Sequence, residues 1–166
     1  MKRLMILRHA KSDWNAGAPS DHARPLNRRG TTAAVTMGRV LTQLGEVPDL
    51  VYTSSAVRAC ETLILAADAG EWDVDVVEFD RLYGASANEA LQIAADAPDS
   101  IERLMLVGHE PGWGYLVRSV TGAVVNMKTA TVAGIDMQME SWRHAPKAMG
   151  SLAYLLQPRM FTNWDR

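Results

Sequence analysis

Leu4-Met5-Ile6-Leu7-Arg8-His9-Ala10 is the stretch on which the fold turns. Its four apolar residues form a short, continuous run near the start of the chain, the pattern of a strand buried on both faces of a parallel sheet. A cation and an imidazole come next, where that strand must end. In open α/β sheets ligands bind outside the carboxyl ends of the strands. Arg8 beside His9 therefore reads as an anion held next to a nucleophile or proton carrier.

The rest of the chain extends the pattern. Residues 10–29 are polar, with Gly17, Pro19 and Pro25, and read as a long loop of the kind that is functional or disordered. Asn27 is placed to cap a helix whose apolar stripe is Ala33, Met37, Val40, Leu41 and Leu44, and Gly45 stops it. Asp49–Thr53 is a second strand, and Ser54 or Ser55 is placed to cap a helix that ends near Gly70. Val74–Phe79 is a third strand. Ser86-Ala87-Asn88-Glu89 is a capping box opening a helix that ends near Pro98. Arg103–Val107 is a fourth strand. Gly108-His109-Glu110-Pro111 leads into a helix with Pro111 in its first turn and Gly122 at its end. Thr131–Met139 and Ser151–Gln157 read as closing strands, with Phe161 and Trp164 of the tail packed on the body. Strands alternating with helices predict a single α/β domain over residues 1–166, a three-layer α/β/α sandwich with a mainly parallel sheet. The 122–130 loop breaks the alternation and predicts an antiparallel element at that end.

The residues just past each strand carry the chemistry. Arg8 and His9 lie beyond the first, Ser54, Ser55 and Arg58 beyond the second, Asp80 and Arg81 beyond the third, and His109 beyond the fourth. In a parallel sheet these ends share one edge. Arg58 falls in the first turn of a helix, where the macrodipole disfavours a cation, and a bound anion resolves the conflict. A neutral His9 can attack phosphorus if its other ring nitrogen donates to a carbonyl. Arginines would neutralise the phosphoryl oxygens, a protonated His109 would add a donor, and Asp80 would protonate the leaving oxygen if its pKa is raised.

Composition narrows the alternatives. A net charge of −2 gives no reason to expect nucleic acid or an anionic membrane as partner. The single Cys60 excludes an internal disulfide and fits a reducing compartment. No apolar stretch is long enough to span a membrane, so a cytoplasmic protein is expected. The sixth residue after Cys60 is Ala66, not the Arg that a cysteine-dependent phosphatase needs, and Cys60 reads as a small buried side chain. Asp73-Val74-Asp75 precedes an apolar run instead of ending one, which argues against an aspartate nucleophile. There is no P-loop run, and His9, His22, His109 and His144 lack paired metal-ligand spacing. His22 and His144 read as surface histidines, and Trp14 as either a pocket-mouth residue or a rim residue.

These residues together resemble the histidine phosphatase, or phosphoglycerate mutase-like, superfamily, whose mark is Arg-His-Gly or Arg-His-Ala just after the first strand. The short length resembles the SixA-like phosphohistidine phosphatase branch. So do Asp21-His22-Ala23-Arg24-Pro25-Leu26-Asn27-Arg28-Arg29-Gly30, Thr53-Ser54-Ser55-Ala56-Val57-Arg58-Ala59 through Thr62, and Val107-Gly108-His109-Glu110-Pro111-Gly112. The resemblance implies a phosphoglycerate mutase-like fold, His9 as the nucleophile that becomes phosphohistidine, and Arg8, Arg58 and His109 as the phosphate pocket. Asp80-Arg81-Leu82-Tyr83-Gly84 is similar to the mutase segment bearing the acid, which implies Asp80. Glu89 is the other candidate, although its capping-box spacing already gives it a structural task. Asn15 matches a phosphoryl-contacting Asn of the mutases.

The expected function is a metal-independent phosphatase with no cofactor, acting on phosphohistidine of a partner protein. No large insertion is present to enclose a small metabolite, and a leaving imidazole tolerates a weak acid. A small phosphomonoester is the enzymatic alternative. A phosphate- or phosphoprotein-binding module without turnover is the reading from another class, and the retention of both histidines argues against it.

Overall fold

The computed structural model describes residues 1–162; Trp164 lies outside them. The elements in order are β1 (Lys2–Arg8), α1 (Arg28–Gln43), β2 (Leu50–Ser54), α2 (Val57–Gly70), β3 (Asp75–Phe79), α3 (Ala87–Ala94), β4 (Arg103–Gly108), α4 (Gly112–Thr121), β5 (Val132–Met137) and β6 (Gly150–Leu156). Short 3₁₀ helices at Asp80–Leu82, Trp142–Lys147 and Pro158–Phe161 complete the chain.

The sheet order is β3-β2-β4-β1-β5-β6. β3, β2, β4 and β1 are mutually parallel, with Arg8 beside Gly108 and Thr53 beside Val107. β5 runs antiparallel to both β1 and β6, which is the antiparallel element expected after the 122–130 loop. Side chains alternate across this sheet with period two. Leu4 and Ile6 of β1, Leu104 and Leu106 of β4 face α3 and α4, where Ile93, Trp113, Leu116 and Val117 pack. Met5 and Leu7, Met105 and Val107 face α1 and α2, where Met37, Leu41, Ala59 and Leu63 pack. The sandwich thus has two cores, one on each face of the sheet. α1 and α2 approach closely at Gly38, where a Cβ would sit 2.0 Å from the Ala66 carbonyl oxygen.

Local signals explain most boundaries. Asn27 caps α1 by accepting from Gly30 N–H at 2.9 Å, and Gly45 follows it at φ +70°. Ser86 and Glu89 form the reciprocal capping box of α3, so Glu89 is engaged in structure. Two expectations are corrected. Neither Ser54 nor Ser55 caps α2, which starts after Ala56 without a side-chain cap, because both hydroxyls turn to histidines. Pro111 immediately precedes α4 instead of occupying its first turn. The six-residue 3₁₀ helix at Trp142 had no signal in the sequence; it buries that indole, which donates to the Ile101 carbonyl at 2.8 Å. The Asp73–Asp75 segment is the turn into β3, as expected. Among the described residues no helix is long and apolar enough to cross a membrane.

Candidate active site

Three adjacent strands bring the site together: β2, β4 and β1 end side by side. His9 follows β1, donates its backbone N–H to the Gly108 carbonyl at 2.9 Å, and is 8% exposed. Its Nδ1 lies 2.7 Å from the Ala10 carbonyl oxygen. A carbonyl only accepts, so Nδ1 carries the proton and Nε2 keeps its lone pair. Burial pushes the imidazole down to about 4, with Arg58, Arg8 and Arg24 acting in the same direction against the Ala10 carbonyl. His9 is therefore neutral near pH 7. The turn behind it is pinned by Thr62, whose Oγ1 accepts from Ala10 N–H at 2.9 Å and donates to the Arg58 carbonyl at 2.6 Å.

The predicted cations converge. Arg58, 5% exposed in the first turn of α2, donates from Nε to His9 Nε2 at 3.3 Å. Arg8 donates from NH1 to the Met127 carbonyl at 2.8 Å, and its Nε is buried without a partner among the described residues. His109, half-buried after β4, stands with its ring 5.1 Å from that of His9. Burial pushes it down to about 3, with His9, Arg58 and Arg8 adding to the effect against Asp21. Its Nε2 lies 2.8 Å from Ser54 Oγ, and that oxygen accepts from Ala56 N–H at 3.2 Å. When Ser54 donates its hydroxyl hydrogen to Nε2, His109 holds its own proton on Nδ1, which is buried and unpartnered. Even a neutral His109 then presents a donor. Unpaired buried donors are costly, and an oxyanion removes that cost.

Asp21, Arg24 and Tyr83 belong to the same cluster, and sequence reasoning assigned them no role. The Asp21 carboxylate accepts from Arg24 NH2 at 2.7 Å, Arg58 NH2 at 3.0 Å and the Tyr83 hydroxyl at 2.7 Å. Arg24 and Tyr83, with burial opposing and Arg58 assisting, hold this carboxyl well below the usual range. Arg24 also donates to Ser12 and stacks on Trp14 at 3.7 Å, so Trp14, 77% exposed, forms a rim over the arginine. His22 is not a plain surface residue. Its Nε2 is 2.9 Å from Ser55 Oγ and its ring meets Tyr83 edge-on. The predicted 10–29 loop ends at Asn27, because Arg28 and Arg29 open α1; it is tied down by Asp13 N–H to the Pro25 carbonyl and Asn27 N–H to the Lys11 carbonyl, at 2.8 and 2.9 Å.

Two sequence candidates stand apart. Asp80 opens the 3₁₀ helix after β3, is exposed, and has no hydrogen bond to His9, Arg58 or His109. Asn15 is exposed, and its backbone N–H donates to Asp13 at 2.8 Å. Cys60 is half-buried beside the Ser54 carbonyl, and burial together with Glu78 pushes its thiol up to about 11, which disfavours the thiolate near pH 7. His144 is exposed, as expected. Among the described residues no group of three or more His, Cys, Asp or Glu is placed to hold a metal ion. A neutral imidazole flanked by arginines and free N–H donors suits attack on a phosphoryl group.

Comparison with known proteins agrees with this geometry. The sequence profile of the histidine phosphatase superfamily (branch 1) matches residues 4–101, which include Arg8, His9 and Arg58. His109 lies beyond the match and joins through β4. An uncharacterised chloroplastic protein of Arabidopsis thaliana is 32% identical over 153 residues, covering 87% of this chain and 70% of that protein. A solved structure from Nakamurella multipartitia, named as a candidate phosphohistidine phosphatase SixA, is 26% identical at a TM-score of 0.83, covering 95% of this chain and 96% of that one. Its counterpart from Agrobacterium tumefaciens is also 26% identical, with a TM-score of 0.81 over 95% and 98% of the two chains.

Proposed function

The chain belongs to the histidine phosphatase superfamily, in its SixA-like branch, and from that premise we propose that this phosphatase dephosphorylates phosphohistidine on a partner protein through a covalent intermediate on His9. One observation carries the reading. His9 is held neutral with its lone pair on Nε2, where only Arg58 Nε approaches, at 3.3 Å, and Arg8 Nε and His109 Nδ1 are buried donors without an acceptor among the described residues.

The Nε2 lone pair forms a bond to phosphorus as the phosphorus–nitrogen bond of the substrate breaks. The departing imidazole keeps that electron pair and takes a proton from solvent. Arg8, Arg58 and His109 bind the three phosphoryl oxygens and meet the charge that shifts onto them in the transition state. A water oxygen then attacks phospho-His9, losing its proton to solvent; the P–Nε2 bond breaks, and inorganic phosphate leaves. These cationic and N–H donors supply the neutralisation, so turnover is expected to survive a chelator. Because imidazole leaves more readily than an alkoxide, an exposed Asp80 is sufficient as an acid for this substrate, and Asn15 has at most a weak share in binding.

The test is brief incubation with a radiolabelled phosphodonor and an alkaline quench. An acid-labile, alkali-stable label that is absent in His9→Ala supports the reading. Phosphate binding without label or hydrolysis of any donor would make the protein a binding module and overturn it.

A further inference from the structure

Lys11, Arg29, Lys128 and Arg159 line a single cavity of about 300 Å³, with Gln157 among its walls. They come from four separate segments, and topology explains why they meet. β1 and β6 end, and α1 and β5 begin, at the sheet edge that carries His9. All four cations are exposed, and none forms an ion pair with a described residue. Among the described residues no carboxylate lines the cavity, in a chain whose net charge is −2. Arg28 and Arg29 sit in the first turn of α1, which holds no acid, against the helix dipole. Arg28 extends the patch into a neighbouring cavity that Arg29 and Arg159 share.

The patch adjoins the phosphoryl pocket. Lys11 is two residues past His9. Lys128 lies between Met127, whose carbonyl accepts from Arg8, and Ala130, whose N–H donates to the carbonyls of Arg8 and His9 at 3.1 Å. We infer that this basic patch is the docking surface for an acidic face of the protein that carries the phosphohistidine, an inference that rests on the function proposed above. A compact phosphate site would present a bidentate arginine or a nest of backbone N–H groups. Here the cations ride on long side chains spread around an open mouth, which suits carboxylates distributed over a protein surface. The Gln157 amide oxygen is buried without a partner among the described residues, and a polypeptide brings N–H donors for it alongside its carboxylates.

The experiment uses two synthetic phosphohistidine peptides, one flanked by Asp and Glu and one by Ser and Gly. At low salt the wild type is expected to show about tenfold higher kcat/KM for the acidic peptide, carried in KM, and the gap closes near about 0.5 M salt. In Arg29→Glu/Lys128→Glu/Arg159→Glu the gap disappears while turnover of the neutral peptide stays within about twofold. Equal kcat/KM for both peptides in the wild type, or a gap that persists in the triple variant, overturns docking and leaves the phosphatase reading intact. If neither peptide is hydrolysed, the phosphohistidine reading fails; the docking claim is then decided by fluorescence anisotropy of the labelled, unphosphorylated acidic peptide, where equal binding by wild type and triple variant sinks it.

Discussion

Lowering the pH from 7.5 to 5 isolates the two buried imidazoles. Burial pushes His9 to about 4 and His109 to about 3 in the folded protein, whereas a histidine in the unfolded chain titrates near about 6.5. Between these values the unfolded chain binds protons that the folded chain does not, so stability is complete above about pH 6.5 and falls as the solution is acidified. At pH 5 the loss is about 2 kcal/mol for each histidine, about 4 kcal/mol together, a large part of the about 5–15 kcal/mol that holds a domain of this kind together. His109 keeps more contact with solvent, so about 2 kcal/mol is an upper bound on its share. The carboxylates barely contribute at this pH. Asp21 is held low in the fold, but an unfolded Asp, near about 3.9, is still almost fully ionised. Urea unfolding at pH 7.5, 6 and 5 is the assay, on the wild type, His9→Asn, His109→Gln and the double variant. Each single variant is expected to lose about half of the pH dependence and the double variant nearly all of it. A wild-type loss below about 1 kcal/mol, or an equal slope in the double variant, would refute the burial argument.

Three further outcomes rest on particular contacts. Gly108→Ala places a Cβ 2.6 Å from the Trp113 ring, which is buried and donates to the Leu7 carbonyl at 2.9 Å; a cost of about 2 kcal/mol in urea unfolding and a lower kcat through displaced His109 are expected. Ser54→Ala removes the partner of His109 Nε2 and the acceptor of Ala56 N–H. It should lower kcat about tenfold in steady-state turnover and stability by about 1–2 kcal/mol, and an unchanged kcat would show that Ser54 does not orient the ring. Asp80→Asn is expected to slow hydrolysis of an alkyl phosphate more than that of phosphohistidine, measured side by side; equal slowing would contradict the leaving-group reasoning.

The parts legible in the sequence were those with a local pattern. Apolar runs marked the strands, and the rule that ligands gather at strand ends picked out Arg8, His9, Arg58 and His109 before any contact was visible. The capping box told Glu89 apart from the catalytic candidates for the same reason. Asp21, Arg24 and His22 escaped because they lie in an aperiodic segment whose path is set by its fold-back onto α2 and the turn after β3. Ser54 and Ser55 differ from expectation because the capping preference of serine is local, whereas His109 and His22 reach them from distant segments. Asn15 and Asp80 were expected in the site, but the loop that carries Asn15 and the 3₁₀ turn that Asp80 opens leave both exposed.

The pairing of Arg8 with Gly108 joins two residues one hundred positions apart. On a ribosome, β1 and the His9 that follows it are made long before β4, their neighbour in the sheet. Contacts of such sequence separation form late and slowly. A nascent chain that lacks β4 cannot bring His109 to His9, so it carries His9 without the assembled site. Under the proposed mechanism, covalent labelling of that histidine also reports on folding, and a pulse-labelling time course during refolding would read the moment at which β4 takes its place.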